Sequence, residues 1–335
     1  MSEINAGDWL KELPLQSENI GFRAEEMLQC AKCARTNPPT RRKCFYCGAE
    51  LEISAPQSQF LKPNVRTFDS WEKAFNLILS STVTDFDEAQ TAEIAAGLKI
   101  EKELLRKIIE SGKSLPVARV ESEKEAEIGR SFLRQFGVDS IILSDETMNL
   151  EKPTRRLRRI EFEEGKLILI LFNRDEIVEI AGEDLVLIVT GAIYERKIEA
   201  TEKRGRNGEN KILETTETAS DESLIDIYSR LDETGFRIMA TGFDFSCLAS
   251  EKGILANENL KKLAVKLALI APNVKVVKDY LLIRELLGKI WEVEQKTDSQ
   301  GLKRESFRKF NFGNLTTVNN LSQFTKYSRL QRNLL

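Results

Sequence analysis

The spacing of apolar residues changes period along this chain, and each change marks off a unit. From Ala74 to Ser80 the residues run apolar like a buried strand. Asp85 to Ala96 carries helical spacing through Phe86, Ala89 and Ala96 and stops at Gly97. A second helix over Glu101 to Ser111 sets Leu104, Leu105, Ile108 and Ile109 on one face and ends at Gly112. Leu115 to Val120 reads as a strand entering a capping box, Ser122-x-x-Glu125, in which each side chain can satisfy the other residue's free N–H. A third helix buries Ala126, Gly129, Phe132, Leu133 and Phe136, stops at Gly137 and leads into a strand over Val138 to Leu143. The order predicted for residues 71–145 is therefore β-α-α-β-α-β.

From Arg155 the period falls to two. Strands are predicted over Leu157 to Phe162, Leu167 to Phe172, Glu176 to Ile180 and Leu185 to Arg196, then Leu224 to Ser229 and Phe236 to Thr241. Arg204 to Gly208 reads as an exposed loop. Its cations Lys203, Arg204, Arg206 and Lys211 fit a solvated hairpin better than a phosphate cradle, since no fixed backbone nest accompanies them. A helix from Asn257 to Ile270 presents Leu260, Leu263, Ala264, Leu267 and Ile270 to this sheet, and Asp279 to Glu294 reads as one more helix carrying Leu282, Leu286, Ile290 and Trp291.

Ahead of both units stands a Cys-x2-Cys-x10-Cys-x2-Cys run formed by Cys30, Cys33, Cys44 and Cys47. Each Cys-x-x-Cys turn offers two thiolates from one tight knuckle, and four such sulfurs make a closed tetrahedral site for one structural Zn2+. Gly48 suits a knuckle that turns through positive φ. A redox dithiol or a pair of disulfides are the competing readings; two matched pairs without a secretion signal favour zinc. A ribbon this small would rest on metal binding, typically about 10–16 kcal/mol in small zinc fingers. Cys247 stands alone and reads as a small buried hydrophobe.

The cysteine spacing, with Asn37 three residues after Cys33 and six before Cys44, resembles the Ran-binding-protein (nucleoporin) type of zinc finger. Leu28 stands where RNA-reading members carry a Trp, and Ala34-Arg35 where ubiquitin-binding members carry Thr-Phe. The resemblance supports the metal and neither ligand. Residues 71–145 resemble the C-terminal domain of the ribosomal stalk protein and the Clp-protease adaptor fold, which implies a non-enzymatic docking domain. Antiparallel strands closed by one helix resemble the pleckstrin-homology-like superfold, which implies binding of a partner or a lipid headgroup.

The predicted architecture is thus α+β and multidomain: a polar arm (1–26) with Trp9 and Leu10 as a partial cover, a zinc ribbon (27–53), a linker (54–70), the β-α-α-β-α-β domain (71–145), a second linker (146–154), an antiparallel β domain closed by a C-terminal helix (155–295), and a basic aromatic tail (296–335). Over residues 300–335 the tail sets Lys303, Arg304, Arg308, Lys309, Lys326, Arg329 and Arg332 against the single acid Glu305, with Phe307, Phe310, Phe312, Phe324 and Tyr327 interleaved. It either tracks a nucleic acid or packs its aromatics on the β domain and leaves its charges in water; the middle, rich in Asn and Thr, favours the second.

Composition narrows the function. The chain has no histidine, which removes the Ser-His-Asp and Cys-His arrangements, and no phosphate-cradling glycine motif is present. Glu161 and Glu163 alternate with Ile160 and Phe162 as the wet face of a strand would. No apolar run is long enough to span a bilayer, and a reducing, cytoplasmic setting is expected. The leading expectation is a non-enzymatic adaptor that binds another protein, with no small-molecule substrate indicated. The alternative is an RNA binder, using Arg35, Arg41, Arg42 and Lys43 of the acid-free stretch from Cys30 to Cys47 with Lys303, Arg304, Arg308 and Lys309 of the tail.

Overall fold

The computed structural model describes residues 21–335 apart from 59, 70, 71, 81–85, 173–175, 205–209, 307 and 308, and the side chains of 55, 56, 201–214 and 302–312 lie outside it as well. The polar arm with Trp9 and Leu10, and the cations expected around the loop at 204–208, therefore fall outside the described residues and side chains.

The ribbon contains β1 (Leu28–Gln29) and β2 (Thr36–Asn37), and the short helix α1 (Ala55–Ser58) follows. Next come β3 (Phe75–Leu79), α2 (Glu88–Leu98), α3 (Lys102–Glu110), β4 (Pro116–Val120), α4 (Glu123–Arg134) and β5 (Ser140–Ser144), in the order that the periodicity predicts. The three strands form an antiparallel sheet ordered β4-β3-β5.

Two local details differ from expectation. Gly97 does not end α2; it lies inside the helix, where an added Cβ would sit 2.2 Å from the Phe132 ring, so it serves close packing of α2 on α4. The helix ends instead at Lys99, in the left-handed region at φ 51. The capping box at α4 is half made: the Ser122 hydroxyl accepts from the Glu125 N–H, but the Glu125 carboxylate turns outward to Arg42 and to the Asn64 N–H. An ion pair with a guanidinium outcompetes a neutral N–H for that carboxylate.

The second sheet runs through β6 (Arg155–Glu163), β7 (Lys166–Leu171), β8 (Ile177–Ala181), β9 (Leu185–Arg204), β10 (Asn210–Ser229), β11 (Phe236–Met239), β12 (Lys275–Val277), β13 (Glu294–Ser306) and β14 (Lys309–Asn319). Its order is β13-β14-β9-β10-β11-β6-β7-β8, with β12 on β9. The sheet is mixed, a correction to the antiparallel domain expected: β11 pairs β6, and β12 pairs β9, in parallel. Parallel neighbours need a crossover, and α5 (Ala256–Ile270) supplies the one before β12. β9 and β10 are also longer than their hydrophobic pattern. Each has 20 residues, and beyond Tyr194 and Asp221 they form, with β13 and β14, a four-stranded extension on which no described apolar side chain is buried.

Side chains alternate across this sheet and build two cores. On one face Ile188, Ile225 and Ile227 meet Leu260, Leu263 and Leu267 of α5. On the other, Leu187, Val189, Leu224 and Tyr228 join α6 (Tyr280–Leu287), α7 (Leu321–Asn333) and the whole α/β unit in one continuous core. The segments read as linkers take part: Leu61 and Phe68 are buried in one, Met148 in the other. Trp291, completely buried, bonds the Asn76 carbonyl oxygen at 2.8 Å; the Asn76 amide bonds Asp145, and Arg119 pairs with Asp145 at 2.6 Å. The α6 helix ends at Leu287, short of Trp291, and buries Tyr280, Ile283 and Leu287 while Leu282 is exposed.

The segment expected to be a tail is the largest correction. It forms β13, β14 and α7, and α7 lies in the core with Phe324, Tyr327 and Leu330. Charges of α7 are bonded inside the fold: Arg329 is fully buried and donates to the Glu233 and Lys152 carbonyls, and Arg332 donates to the Ser229 and Arg230 carbonyls. Bonded in this way, polar side chains can be buried in a helix whose sequence looks solvent-facing.

Because the α/β unit and the sheet share a core, residues 72–335 should melt in one transition. Trp291→Phe, which keeps an aromatic side chain but removes the indole N–H from Asn76 and leaves a small void, should cost at least about 1–3 kcal/mol, read from denaturant unfolding; two separated transitions in the wild type would show independent units instead. Lys326 gives a pH-dependent test. Burial, helped by Arg119 and opposed by Asp145, Glu294 and Glu292, pushes its ammonium down to about 8 from 10.5. Below about pH 8 both folded and unfolded states carry the charge, so the desolvation cost is fully present. Between 8 and 10.5 the folded state sheds its proton first and the cost fades. Lys326→Met should therefore stabilise the protein at pH 7, by about 2–3 kcal/mol at most, and the gain should vanish above pH 10.5.

Candidate metal centre

The two knuckles of the ribbon are built alike. After Cys33, Ala34 takes φ 56 and its N–H returns to the Cys30 carbonyl at 2.8 Å; after Cys47, Gly48 takes φ 71 and its N–H returns to the Cys44 carbonyl at 3.0 Å. Gly48 is free of any close neighbour, so its conformation rather than space selects glycine. Ala34 occupies the same left-handed region with a Cβ, at a cost of roughly 1 kcal/mol. The sequence announces Gly48 and conceals Ala34.

These turns bring all four sulfurs within 4.8 Å of one another. The Cys30–Cys47 and Cys33–Cys44 separations are both 3.6 Å, close to the edge of about 3.8 Å of a tetrahedron with metal–sulfur bonds of about 2.3 Å. The residues fit one metal ion. Two of the thiols are disposed to ionise and a third is held back by its neighbours. N–H groups of Cys33 and Lys32 hold the Cys30 thiol below its ordinary value despite burial. Burial pushes Cys44 up, but the N–H groups of Cys47 and Tyr46, with Cys33 and the Asn37 amide, outweigh it and bring the thiol to about 6. At Cys33 the Arg35 N–H favours the thiolate, yet burial and the three neighbouring sulfurs push it up to about 12. Four thiolates this close need a cation.

Asn37, completely buried, braces the site. Its amide donates to the Cys44 sulfur at 3.5 Å and to the Arg35 carbonyl at 3.0 Å, and its oxygen accepts from the Phe45 N–H at 2.8 Å. Leu28 is buried with Cys30, Cys44 and Leu51 in a four-residue core. A core so small cannot hold the ribbon by burial alone.

The cations proposed from sequence separate. Arg42 leaves the surface set: it bonds the Lys62 carbonyl at 2.7 Å and Glu125 at 2.8 Å, tying the ribbon to α4. Lys43 is exposed. Arg35 lies 4.6 Å over the Tyr46 ring and Arg41 5.0 Å over Phe45. Lys303, Arg304 and Lys309 lie on β13 and β14 with side chains outside the described set, and Arg308 lies outside the described residues. What the sequence reading missed is the aromatic pair itself. Phe45 is 69% exposed and Tyr46 54%, edge to face at 5.6 Å. The signal was present: both fill the x positions of a Cys-x-x-Cys knuckle, whose side chains cannot point at the metal. Cys247 packs half-buried against the α5 core, where burial pushes its thiol up. Among the described residues no helix is long and apolar enough to cross a membrane.

Metal analysis of the reduced full chain should find one ion per chain, and a value well below one would remove the site. Asn37→Ala should weaken metal binding by roughly 10–100-fold in a chelator competition, as loss of a brace behind a ligand does.

No protein-family model, curated protein or solved structure matches the chain.

Proposed function

We propose that the chain is a zinc-dependent, non-catalytic docking protein that engages an acidic partner protein in the cytoplasm through its ribbon. An all-sulfur tetrahedron with no open position favours zinc in a structural role. One observation carries the reading: the second cysteine knuckle sets Phe45 and Tyr46 into solvent with Arg41 and Arg35 laid on their rings. Exposed aromatic and arginine side chains on a rigid support are the groups that dominate binding energy at protein interfaces. Exposed Lys32 and Lys43, with no acid between Met27 and Ala49, set the sign of the partner. The likeness of the β-α-α-β-α-β unit to docking domains of the stalk and adaptor kind supports the same class, and the likeness of the cysteine spacing to Ran-binding-type fingers supports the zinc.

The same stack also favours a second reading, single-stranded RNA, because bases intercalate between aromatic and guanidinium planes. The withdrawal of Arg42, Arg329 and Arg332 into internal bonds weakens it. Salt and mutation separate the two. Phe45→Ala with Tyr46→Ala should leave the metal content unchanged and weaken capture of the protein partner by roughly 30-fold or more. If the chain instead retards single-stranded RNA with a log–log salt slope near about −0.7 per contacted phosphate, the RNA reading replaces the first. Binding that ignores the double substitution sinks both.

A further inference from the structure

A cleft of about 560 Å³ lies where the turn at 145–154, β11, the start of β13 and the first turns of α7 meet. It shares no residue with the ribbon. Most charges lining it are settled. Arg237 is held by Asp226 through two bonds of 2.7 and 2.8 Å, Asp145 by Arg119, Glu72 by Arg66, and Lys73 by Glu151. Lys326 is the exception. It lines the cleft from α7, is nine-tenths buried, and has neither a hydrogen bond nor an ion pair within the described residues. Its stem sits among packed side chains while its neighbours Arg119 and Arg237 are already neutralised. An ammonium at the end of a largely buried stem, attracted by Asp145, Glu294 and Glu292 but bonded to none of them, is costly to keep charged, and proteins that keep one generally pair it.

The mouth has the opposite balance. Glu146 and Glu294, both exposed and without an ion pair, outnumber the one free cation described there, Lys152. A plain anion would satisfy the floor and meet two carboxylates on the way in. A plain cation would suit the mouth and be repelled at the floor. Leu150, Pro153 and Leu321 supply apolar wall between the two. The volume holds a molecule the size of an amino acid.

We propose that this cleft is a binding site for a small aliphatic zwitterion of the α-amino-acid class, its carboxylate on the Lys326 ammonium and its own ammonium toward Glu294 and Glu146. The site goes beyond the docking reading, and the two stand or fall separately, since one is tested with ribbon variants and the other with the ribbon intact.

Calorimetric titration of the metal-loaded full chain with L-leucine, N-acetyl-L-leucine, L-leucinamide and inorganic phosphate tests it. Leucine should bind at or below about 10 mM, and the acetylated and amidated derivatives, each lacking one charge, should bind at least roughly tenfold more weakly. Lys326→Met should lose at least roughly tenfold in leucine affinity while its melting temperature stays level or rises, because a buried charge has been removed. Glu294→Gln, at an exposed position, gives the companion loss without touching the core. With Lys326 isotopically methylated, leucine should move its titration upward in NMR. No heat with leucine, leucine binding indifferent to Lys326→Met and Glu294→Gln, or phosphate or acetyl-leucine binding as tightly as leucine would each overturn the assignment.

Discussion

A helix as polar as α7 can sit in an apolar core only if its side chains find partners there. Gln323 accepts from the Tyr280 hydroxyl and donates to the Trp291 carbonyl; Ser328 bonds Tyr228; the Tyr327 hydroxyl donates to Asp279; Arg329 spans the Glu233 and Lys152 carbonyls. Each partner belongs to a different element: α6, the turn after it, β10, the approach to α6, and the two turns that flank β10 and β6. Leaving any one of these groups unpaired costs about 1–3 kcal/mol, so the helix and its surroundings fix one another's positions. These bonds tie the sheet, the α/β unit and α6 to the helix, while Lys326 alone of its buried charged side chains stays unbonded among the described residues.

The ribbon is held by different physics. Its own apolar core is four residues, and its shape comes from four sulfurs that require one cation between them. Its orientation comes from Arg42, which joins the Lys62 carbonyl and the Glu125 carboxylate while Glu125 also accepts from the Asn64 N–H. The ribbon is thus both rigid and clamped to α4, and Phe45 and Tyr46 project from a fixed direction. Preorganised aromatic groups lose little entropy on binding, which is what a small contact patch needs.

The parts of the fold that could be read from sequence were those where burial follows a clean period. Leu104, Leu105 and Ile108, or Leu260, Leu263 and Leu267, mark their helices without ambiguity, and the cysteine spacing marks the metal site. The rest was hidden for separate physical reasons. In α7 the buried face carries Gln323, Ser328 and Arg329, so hydropathy assigns it to solvent while hydrogen bonding puts it inside. In the outer halves of β9 and β10 strand pairing continues over Thr, Glu and Lys, with too few apolar residues, such as Ile198 and Ile212, to set up an alternation. Gly97 looks like a helix stop and is a contact surface for Phe132. The shared core was invisible because Trp291 and Asn76, which join its halves, lie 215 positions apart.

That separation has a bearing on how the protein is made. Synthesis delivers the α/β unit first and α7 some 180 residues after β5 ends, at about 5–20 residues per second. For that interval Tyr228 and the inner face of β9 lack the α7 surface they finally meet, and Asp226 and Arg237 pair beside an open side. The emerging polypeptide must spend many seconds with this apolar face uncovered, and its centre closes only when the α7 residues leave the ribosome.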